Sequence, residues 1–378
     1  MACRTLLQFL ARPTLFFYAL PWLMVLLVAG TVAQREIGLY RAEKIFFSAP
    51  LVWLGPIPLP GTVTVLGVIA VSLMAKLLLK SPWRRDMIGN LLTHASMLVL
   101  LGGGLVSNLG REEGYLELAV GATGAVVSDY HDRALAVVKN GVTLLTVPED
   151  DLVTPASIYH PAMPFKIMPR TYCRNCAPEA RPKAQTGATP PSGKLPGEEF
   201  RGAAASMILT PAPLMTQDED NRAGVTFVVS GAGAERDGIY ITYDGLKQMP
   251  SFAVDSDRYE IAMRRAERAL PFAVTLLEFN KSNHPGTDVA RAYAATVEVQ
   301  DGGARWRTEI SMNTPLRYRG YTLYQASFID RAGALSSVLT VVRDRGQVFP
   351  YLAGALFCLG MGMHLVQRGR QQRKAGAA

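Results

Sequence analysis

Hydrophobic residues run without alternation through four long stretches of this chain that contain no Asp, Glu, Lys or Arg. A helix that crosses a bilayer needs roughly 20 apolar residues. In the second stretch, prolines between positions 50 and 60 break the helical pattern, so a helix is expected only from about position 63. The pattern predicts four membrane-spanning helices, at about 14–33, 63–79 and 88–108 and in the segment 346–378, which ends in a basic tail.

The region between the third and fourth predicted helices, residues 111–345, has a different pattern. Short runs of alternating apolar and polar residues are separated by Gly, Asp and Asn, and Asn140-Gly141 predicts a hairpin turn. The region is long enough to bury its own core and is predicted to be a β-rich domain of the sandwich or barrel type. The predicted strands lie at 115–120, 136–147, 225–229, 238–243, 273–277, 294–299, 321–324 and 337–342.

Other segments of this region do not read as simple strands. Residues 258–270 carry a run of charges that fits either a short helix or a solvated face. Residues 177–201 are rich in Pro, Gly, Lys and Thr, which is typical of a mobile loop. Segments 164–172 and 271–279 share a Pro-Phe pair, an apolar run and an aromatic residue. This similarity fits either two similar β units within the domain or a chance likeness of two strands.

Composition supports a membrane protein. Of 378 residues, 19% are charged, against about 25% in soluble domains, and the mean hydropathy is positive. The first apolar stretch also resembles a signal peptide, because Arg4 and Arg12 precede it and Thr31-Val-Ala33 looks like a cleavage site. Signal peptides have shorter apolar regions, about 7–15 residues. A retained helix is therefore the prediction.

The net charge of +8 is concentrated in three basic groups, which precede the first helix, separate the second from the third, and follow the fourth. With four spanning helices, all three groups lie on one side of the membrane. This distribution predicts a multi-pass protein of the inner (plasma) membrane, with both termini in the cytoplasm and residues 111–345 outside it. The basic residues are thereby explained by topology, and no nucleic-acid partner is predicted.

His94 lies within the third predicted helix. Polar side chains inside a bilayer are unfavourable, so an ionisable residue there is a candidate for function. Neutral imidazole is a common axial ligand of haem iron. The alternative is a histidine that only hydrogen-bonds to a neighbouring helix.

Cys173-Arg-Asn-Cys176 has the spacing of redox pairs, metal hairpins and covalent haem sites. Covalent haem attachment requires a histidine next, and Ala177 stands there. A zinc site would require two further ligands, and the sequence has no second Cys pair. A disulfide in an oxidising compartment is the favoured interpretation, and a redox role is the alternative.

Residues 310–328 combine an Asn-Thr-Pro turn with two arginines and three tyrosines, and end in Ala-Ser-Phe. Nearer the N-terminus stand Gly-Thr-Val-Ala-Gln at 30–34, Gly-Leu-Tyr-Arg-Ala-Glu-Lys at 38–44 and Pro-Ile-Pro-Leu-Pro-Gly at 56–61. These motifs, together with the order of the apolar stretches, resemble the ResB family of cytochrome c biogenesis proteins, of the System II pathway. The resemblance covers nearly the whole chain.

The resemblance implies a component of a complex that carries haem b across the membrane for covalent ligation to apocytochrome c. The implied partners are a Trp-rich membrane protein of the ResC/CcsA type, apocytochrome c and membrane lipid. This chain itself lacks the Trp-rich segment, since its four tryptophans are isolated. No self-contained catalytic site stands out, so at most the chain is a subunit of a cytochrome c synthase (haem lyase).

The resemblance also implies roles for single residues. His94 matches a transmembrane histidine associated with haem in this family. His284, in a His-Pro turn, is either a solvated turn residue or a contact to a partner or to a haem propionate. Arg317 and Arg319 either hold propionates or form ion pairs that stabilise the β domain.

Two other functions fit the same layout. One is a membrane-anchored extracytoplasmic scaffold or sensor that binds no haem. The other is a transporter subunit for a different hydrophobic ligand, for which further polar residues facing one another within the helices would be expected.

Overall fold

Four long helices in the computed structural model coincide with the four apolar stretches. They are α1 (Pro13–Ile37), α2 (Thr62–Leu79), α3 (Ile88–Gly110) and α4 (Phe349–Ala375). The structure describes residues 9–182, 199–287, 290–331 and 334–375. Within those residues, these four helices are long and apolar enough to cross a membrane. That they do so, and on which side the β domain lies, stay predictions.

The chain divides into two units. The first contains the described residues of Met1–Glu113, Leu316–Leu323 and Val342–Ala378, and the second contains those of Gly114–Pro315 and Tyr324–Val341.

In the first unit, α1 and α2 are joined by a β-hairpin formed by β1 (Leu51–Leu54) and β2 (Ile57–Pro60). The prolines that interrupt the helical pattern lie in and beside this hairpin. The indole Nε1 of Trp22, in α1, donates a hydrogen bond of 2.8 Å to the Pro60 carbonyl. A small hydrophobic core joins Leu26, Val52 and Val65, one residue each from α1, β1 and α2.

Helices α3 and α4 pack together through small residues, although about 240 residues separate them in the chain. A Cβ atom at Gly89 would lie 2.3 Å from the backbone nitrogen of His364, and one at Gly103 would lie 2.2 Å from Cβ of Phe349. Small residues let helix backbones approach closely in a membrane. The adjacent Gly102 and Gly104 would meet nothing within 4 Å. Of the three consecutive glycines, Gly103 is therefore the one that α4 contacts.

Strands follow α3, and most of their residues belong to the second unit, whereas residues 112–113, 316–323 and 342–343 belong to the first. They are β3 (Glu112–Ala119), β4 (Thr123–Lys139), β5 (Val142–Pro148), β6 (Lys166–Cys173), β7 (Cys176–Ala180), β8 (Met207–Pro211), β9 (Gly224–Ser230), β10 (Gly238–Tyr243), β11 (Ser251–Val254), β12 (Asp257–Asn283), β13 (Ala290–Asp301), β14 (Ala304–Ser311), β15 (Leu316–Tyr318), β16 (Tyr321–Arg331) and β17 (Ala334–Arg343).

The largest sheet has the order β14-β13-β12-β4-β3-β17-β16, with β5 paired to β4 and β11 to β12. A second sheet has the order β10-β9-β6, and β7 pairs with β8. One hydrophobic core contains Leu135 and Ile261 from the large sheet and Phe227 and Ile167 from the three-stranded sheet. Apolar faces of two sheets therefore pack on each other, as in a β-sandwich.

The β-hairpin predicted at Asn140-Gly141 is present, because Lys139 pairs with Val142 across it. Asn140 and Gly141 have φ angles of 50° and 82°. Two successive positive φ angles are the requirement of the type I′ turn, which Asn-Gly meets at low cost.

The suggestion of a helix at 258–270 is wrong, because these residues form the first half of β12. Tyr259, Ile261 and Met263 are almost fully buried, with a period of two, and Ile261 pairs with Val137 of β4. The charged residues between them suggest a helix, but pairing with β4 gives the backbone a strand conformation. Pairing with β4 is interrupted between Ala269 and Val274, around Pro271, which has no N–H to donate.

The loop predicted at 177–201 is only partly described. Its first residues belong to β7, and residues 183–198 lie outside the described residues. The two similar segments, 164–172 and 271–279, form strands of different sheets, β6 and β12. The suggestion of two similar β units stays a prediction.

Candidate functional site

His94 lies in the first half of α3, and one of its two ring nitrogens, Nδ1, forms a hydrogen bond within the helix. Nδ1 is 2.8 Å from the carbonyl oxygen of Asn90, one turn earlier. Because a carbonyl only accepts hydrogen bonds, Nδ1 carries the proton in the neutral ring, and Nε2 keeps its lone pair. Such a bond to a backbone carbonyl is how histidines that bind metals are commonly oriented.

A cavity of about 490 Å³ lies beside His94, within the first unit. Its walls are mainly apolar and come from the start of α1 and from α2 and α3, with Phe16, Ile69, Leu73 and Leu101 among them. This volume is within the range of ligand sites, about 300–1,000 Å³. A neutral imidazole with a free lone pair at the wall of an apolar cavity is suited to bind haem iron.

Two basic residues also line this cavity, Arg12 before α1 and Lys76 in the last turn of α2. For these two residues the sequence pattern indicates only topology, as members of the basic groups next to the predicted spans. Nothing in their local sequence places them beside His94, because the three residues come from separate segments.

The second unit contains the Cys173-Arg-Asn-Cys176 segment, which joins β6 to β7. The structure links the two cysteines in a disulfide, with Cα atoms 5.5 Å apart, and both are at least 94% buried. A second contact holds the segment, since the backbone N–H of Cys176 donates to the Arg222 carbonyl at 2.8 Å. Burial keeps other thiols away from these sulfurs, which favours a structural disulfide over a redox pair.

Replacing both Cys173 and Cys176 by alanine is expected to lower the free energy of unfolding by about 2 kcal/mol, the loop-closure entropy of so short a loop. In thermal unfolding of the full chain, this corresponds to a Tm lower by roughly 5 °C. The Cys358→Ala variant is the control, since that cysteine is free. A double variant that melts at the wild-type temperature would contradict a stabilising role.

Arg174, between the two cysteines, holds a buried ionic cluster together. Its guanidinium contacts Glu149, lies 3.0 Å from Oδ2 of Asp218, and donates to the His131 carbonyl at 3.1 Å. Tyr172 donates its hydroxyl proton to Glu149. The three partners of Arg174 come from distant parts of the chain, and no motif marks them, so the sequence did not reveal this cluster.

The charges of the cluster shift the pKa values of its members. Burial alone would raise the pKa of Asp218, but hydrogen bonds from His131 and Arg174 outweigh it and lower the pKa to about 2. The pKa of Tyr172 is raised, first by burial and then by its hydrogen bond to Glu149. The Asp218 carboxylate therefore stays ionised and paired with Arg174 across the physiological pH range.

The tyrosine-rich motif forms a hairpin in the first unit, in which β15 pairs with the start of β16. Its turn is Arg319-Gly320, with φ angles of 48° and 80°. A left-handed conformation is unfavourable for arginine. The Arg319 guanidinium lies 5.9 Å from the ring centre of Tyr318, and that of Arg343 lies 5.3 Å from Tyr321. Arginine–tyrosine stacking is therefore one of the hairpin's interactions.

The predicted site residues do not all fall in the same unit. Arg317 and Arg319 are exposed residues of the hairpin in the first unit, to which His94 also belongs. His284 is exposed in a turn of the second unit, where its carbonyl accepts a 3.1 Å hydrogen bond from the N–H of Thr287. Their suggested contacts to haem or to a partner stay predictions. Within the described residues, no cluster of His, Cys, Asp and Glu has the arrangement of a metal site.

Comparison with known proteins adds to these observations. Residues 248–336, which include the tyrosine-rich hairpin and His284, match the model of the ResB-like family. Protein NrfI of Wolinella succinogenes is 30% identical over 122 residues, which are 32% of this chain and 13% of NrfI. The chain thus matches only a small part of the length of that relative. The match over residues 248–336 and the similarity to NrfI both support the resemblance of this chain to the ResB-like family.

Proposed function

We propose that this chain acts in cytochrome c biogenesis, as the ResB-type component of a membrane complex that delivers haem b for attachment to apocytochrome c. The match of residues 248–336 to the ResB-like family supports the general role. The partners in the proposal are a Trp-rich membrane protein of the ResC/CcsA type and apocytochrome c. Catalysis belongs to the complex, because no self-contained catalytic site stands out in this chain.

One arrangement carries the proposal: His94 lines an apolar cavity within the long helices, and its Nδ1 is hydrogen-bonded to the Asn90 carbonyl, which leaves Nε2 as the nitrogen that can bind iron. The residues fit haem, since the cavity is large enough for a flat apolar ligand and a neutral imidazole is at its wall. The other helical histidine, His364, is not among the residues that line the cavity. Bound haem would supply the vinyl groups that react with the cysteine thiols of apocytochrome c.

The chain's own residues would bind and orient the haem. Asn90 would fix the His94 ring through its carbonyl, which selects the tautomer with the proton on Nδ1 and holds the ring plane. Phe16, Ile69 and Leu101 exclude water from the cavity and remove apolar surface of the ligand from water. In this proposal the β-rich unit lies outside the cytoplasm and binds the partner protein, apocytochrome c or both. The basic groups beside the predicted spans support that orientation.

The test is the visible absorption spectrum of the full-length chain purified with its membrane partner. We expect a Soret band in the wild type and its loss in His94→Ala, with partial recovery when imidazole is added. His364→Ala is the matched control, a helical histidine outside the cavity, and is expected to keep the band. In cells, His94→Ala is expected to reduce the covalent haem in c-type cytochromes.

A colourless wild-type complex would contradict haem binding and favour the scaffold or sensor function. A Soret band of full intensity in His94→Ala would show that the haem is held elsewhere.

A further inference from the structure

The cavity beside His94 is apolar over most of its wall but carries two positive charges. Arg12 and Lys76 both line it, and no Asp or Glu occurs among its described lining residues. We propose that Arg12 and Lys76 bind the acidic groups of the ligand, so that this cavity takes a flat apolar molecule with carboxylates at one edge. Resting on the proposed function, this assigns the two haem propionates to these two cations.

One hydrogen bond connects the segment that carries Arg12 to the helix that carries Lys76. Ser72 of α2 is 92% buried, and its hydroxyl donates to the Leu10 carbonyl at 2.7 Å. Lys76 follows Ser72 by four residues, so both side chains lie on the same face of α2. The bond holds the segment before α1 against that face, and buried Ala11 packs there. Arg12 is thereby placed at the end of α2 that carries Lys76.

The electrostatics favour an anionic ligand. Two like charges at the wall of an apolar cavity repel each other more than they would in water, because the local dielectric constant is lower. No carboxylate among the described lining residues balances them. A ligand with two carboxylates removes the repulsion and forms charge-assisted hydrogen bonds to both cations.

The positions of Lys76 and His94 along their helices also define how the ligand is oriented in the cavity. Helices α2 and α3 are joined by the short segment 80–87, so the end of α2 and the start of α3 lie at the same end of the pair. Lys76 is three residues from the end of α2, and His94 is six residues from the start of α3. At 1.5 Å per residue, His94 lies roughly 4–5 Å deeper than Lys76. The acidic edge therefore faces the helix ends, and the group bound by His94 lies further inside.

The phosphate of a lipid headgroup offers the same chemistry as a propionate, and basic residues near helix ends commonly contact headgroups. The two sources differ in one respect. If the cations bind propionates, esterifying the propionates weakens the binding of haem. If the cations bind a lipid headgroup, the esterification leaves the affinity unchanged.

The experiment compares haem with haem dimethyl ester, which has no charged propionates. The full-length chain in complex with its membrane partner, freed of haem, is placed in nanodiscs of zwitterionic lipid, and the Kd of each ligand is measured from its absorption spectrum. We expect wild type to bind haem roughly tenfold or more tightly than the ester. In the Arg12→Gln/Lys76→Gln double variant, the two Kd values are expected to become equal, with the ester bound as in wild type.

Lys80→Gln is the matched control, because Lys80 is one turn beyond Lys76 and does not line the cavity. It is expected to keep the preference for haem. His94→Ala is expected to weaken both ligands equally, which separates the roles of iron ligand and cations. A wild-type chain without a preference, or a double variant that retains it, would overturn the assignment while leaving His94 as the ligand.

Nanodiscs that contain phosphatidylglycerol test the lipid alternative. If the double variant loses bound phosphatidylglycerol but keeps the preference for haem, the two cations serve the headgroup and the assignment is wrong. If wild type binds neither haem nor its ester, the proposed function fails, and this assignment fails with it.

Discussion

Gly89→Val is expected to prevent close packing of α3 and α4 and to lower the free energy of unfolding by about 3 kcal/mol or more. The new Cβ would lie 2.3 Å from the backbone nitrogen and 2.7 Å from Cα of His364. Backbone atoms of a neighbouring helix cannot rotate away as a side chain can, so the helices must separate. Separation would also break the 3.3 Å hydrogen bond from the Gly89 N–H to the side-chain oxygen of Gln367.

The matched control is Gly104→Val, in the same helix, where a Cβ meets nothing within 4 Å. Both changes put a β-branched residue in α3, so the difference between them isolates the helix contact. The difference in stability between the two variants is measured by thermal unfolding in detergent, together with the yield of full-length protein. We expect Gly104→Val to behave almost as wild type. Equal losses of stability in the two variants would show that α3 and α4 do not pack through Gly89.

Arg174→Met is expected to be the most destabilising single change in the β-rich unit, by about 3–5 kcal/mol. It removes the only side-chain cation whose ion pairs join Glu149 to Asp218 among the described residues, and leaves both carboxylates buried. The loss of Tm is expected to be roughly 10 °C or more. Arg170→Met, an exposed arginine of the neighbouring strand β6, is the control and should change the Tm little.

The pH dependence of the stability loss in Arg174→Met gives a second measurement. The folded pKa of Asp218, about 2, is below its ordinary value of 3.8. This group therefore contributes about 2 kcal/mol of stability that is fully present above pH 3.8 and is lost as the pH falls towards 2. Without Arg174 the pKa of Asp218 rises, so the variant should lose less stability on acidification than wild type. Parallel pH profiles in the two proteins would contradict the pairing.

Long-range pairing, more than local pattern, explains where interpretation of the sequence failed. The segment 258–270 has enough charge to suggest a helix, yet its backbone hydrogen bonds go to β4, more than 100 residues earlier in the chain. Tyr259 and Ile261 are buried at alternate positions, and the sequence already shows the corresponding alternation of apolar and polar residues, with a period of two. It became decisive only with a partner strand beside it.

The sequence by itself determined the four apolar helices, the β-rich nature of the region between α3 and α4, the Asn140-Gly141 turn and His94 as the polar residue of interest. These depend on local properties, namely continuous hydrophobicity, a period of two and the φ angles that Asn and Gly tolerate. The bounds of α3 differ from the prediction by two residues at the C-terminal end.

Only the tertiary structure decided which residues meet. It selected Gly103 from three successive glycines, brought Glu149 and Asp218 to Arg174, and placed Arg12 and Lys76 at the cavity of His94. Sequence patterns report the environment of a residue along its own helix or strand. Contacts between elements depend on helix packing and strand register, which are set by the whole chain, so these sites could not be read from any local segment.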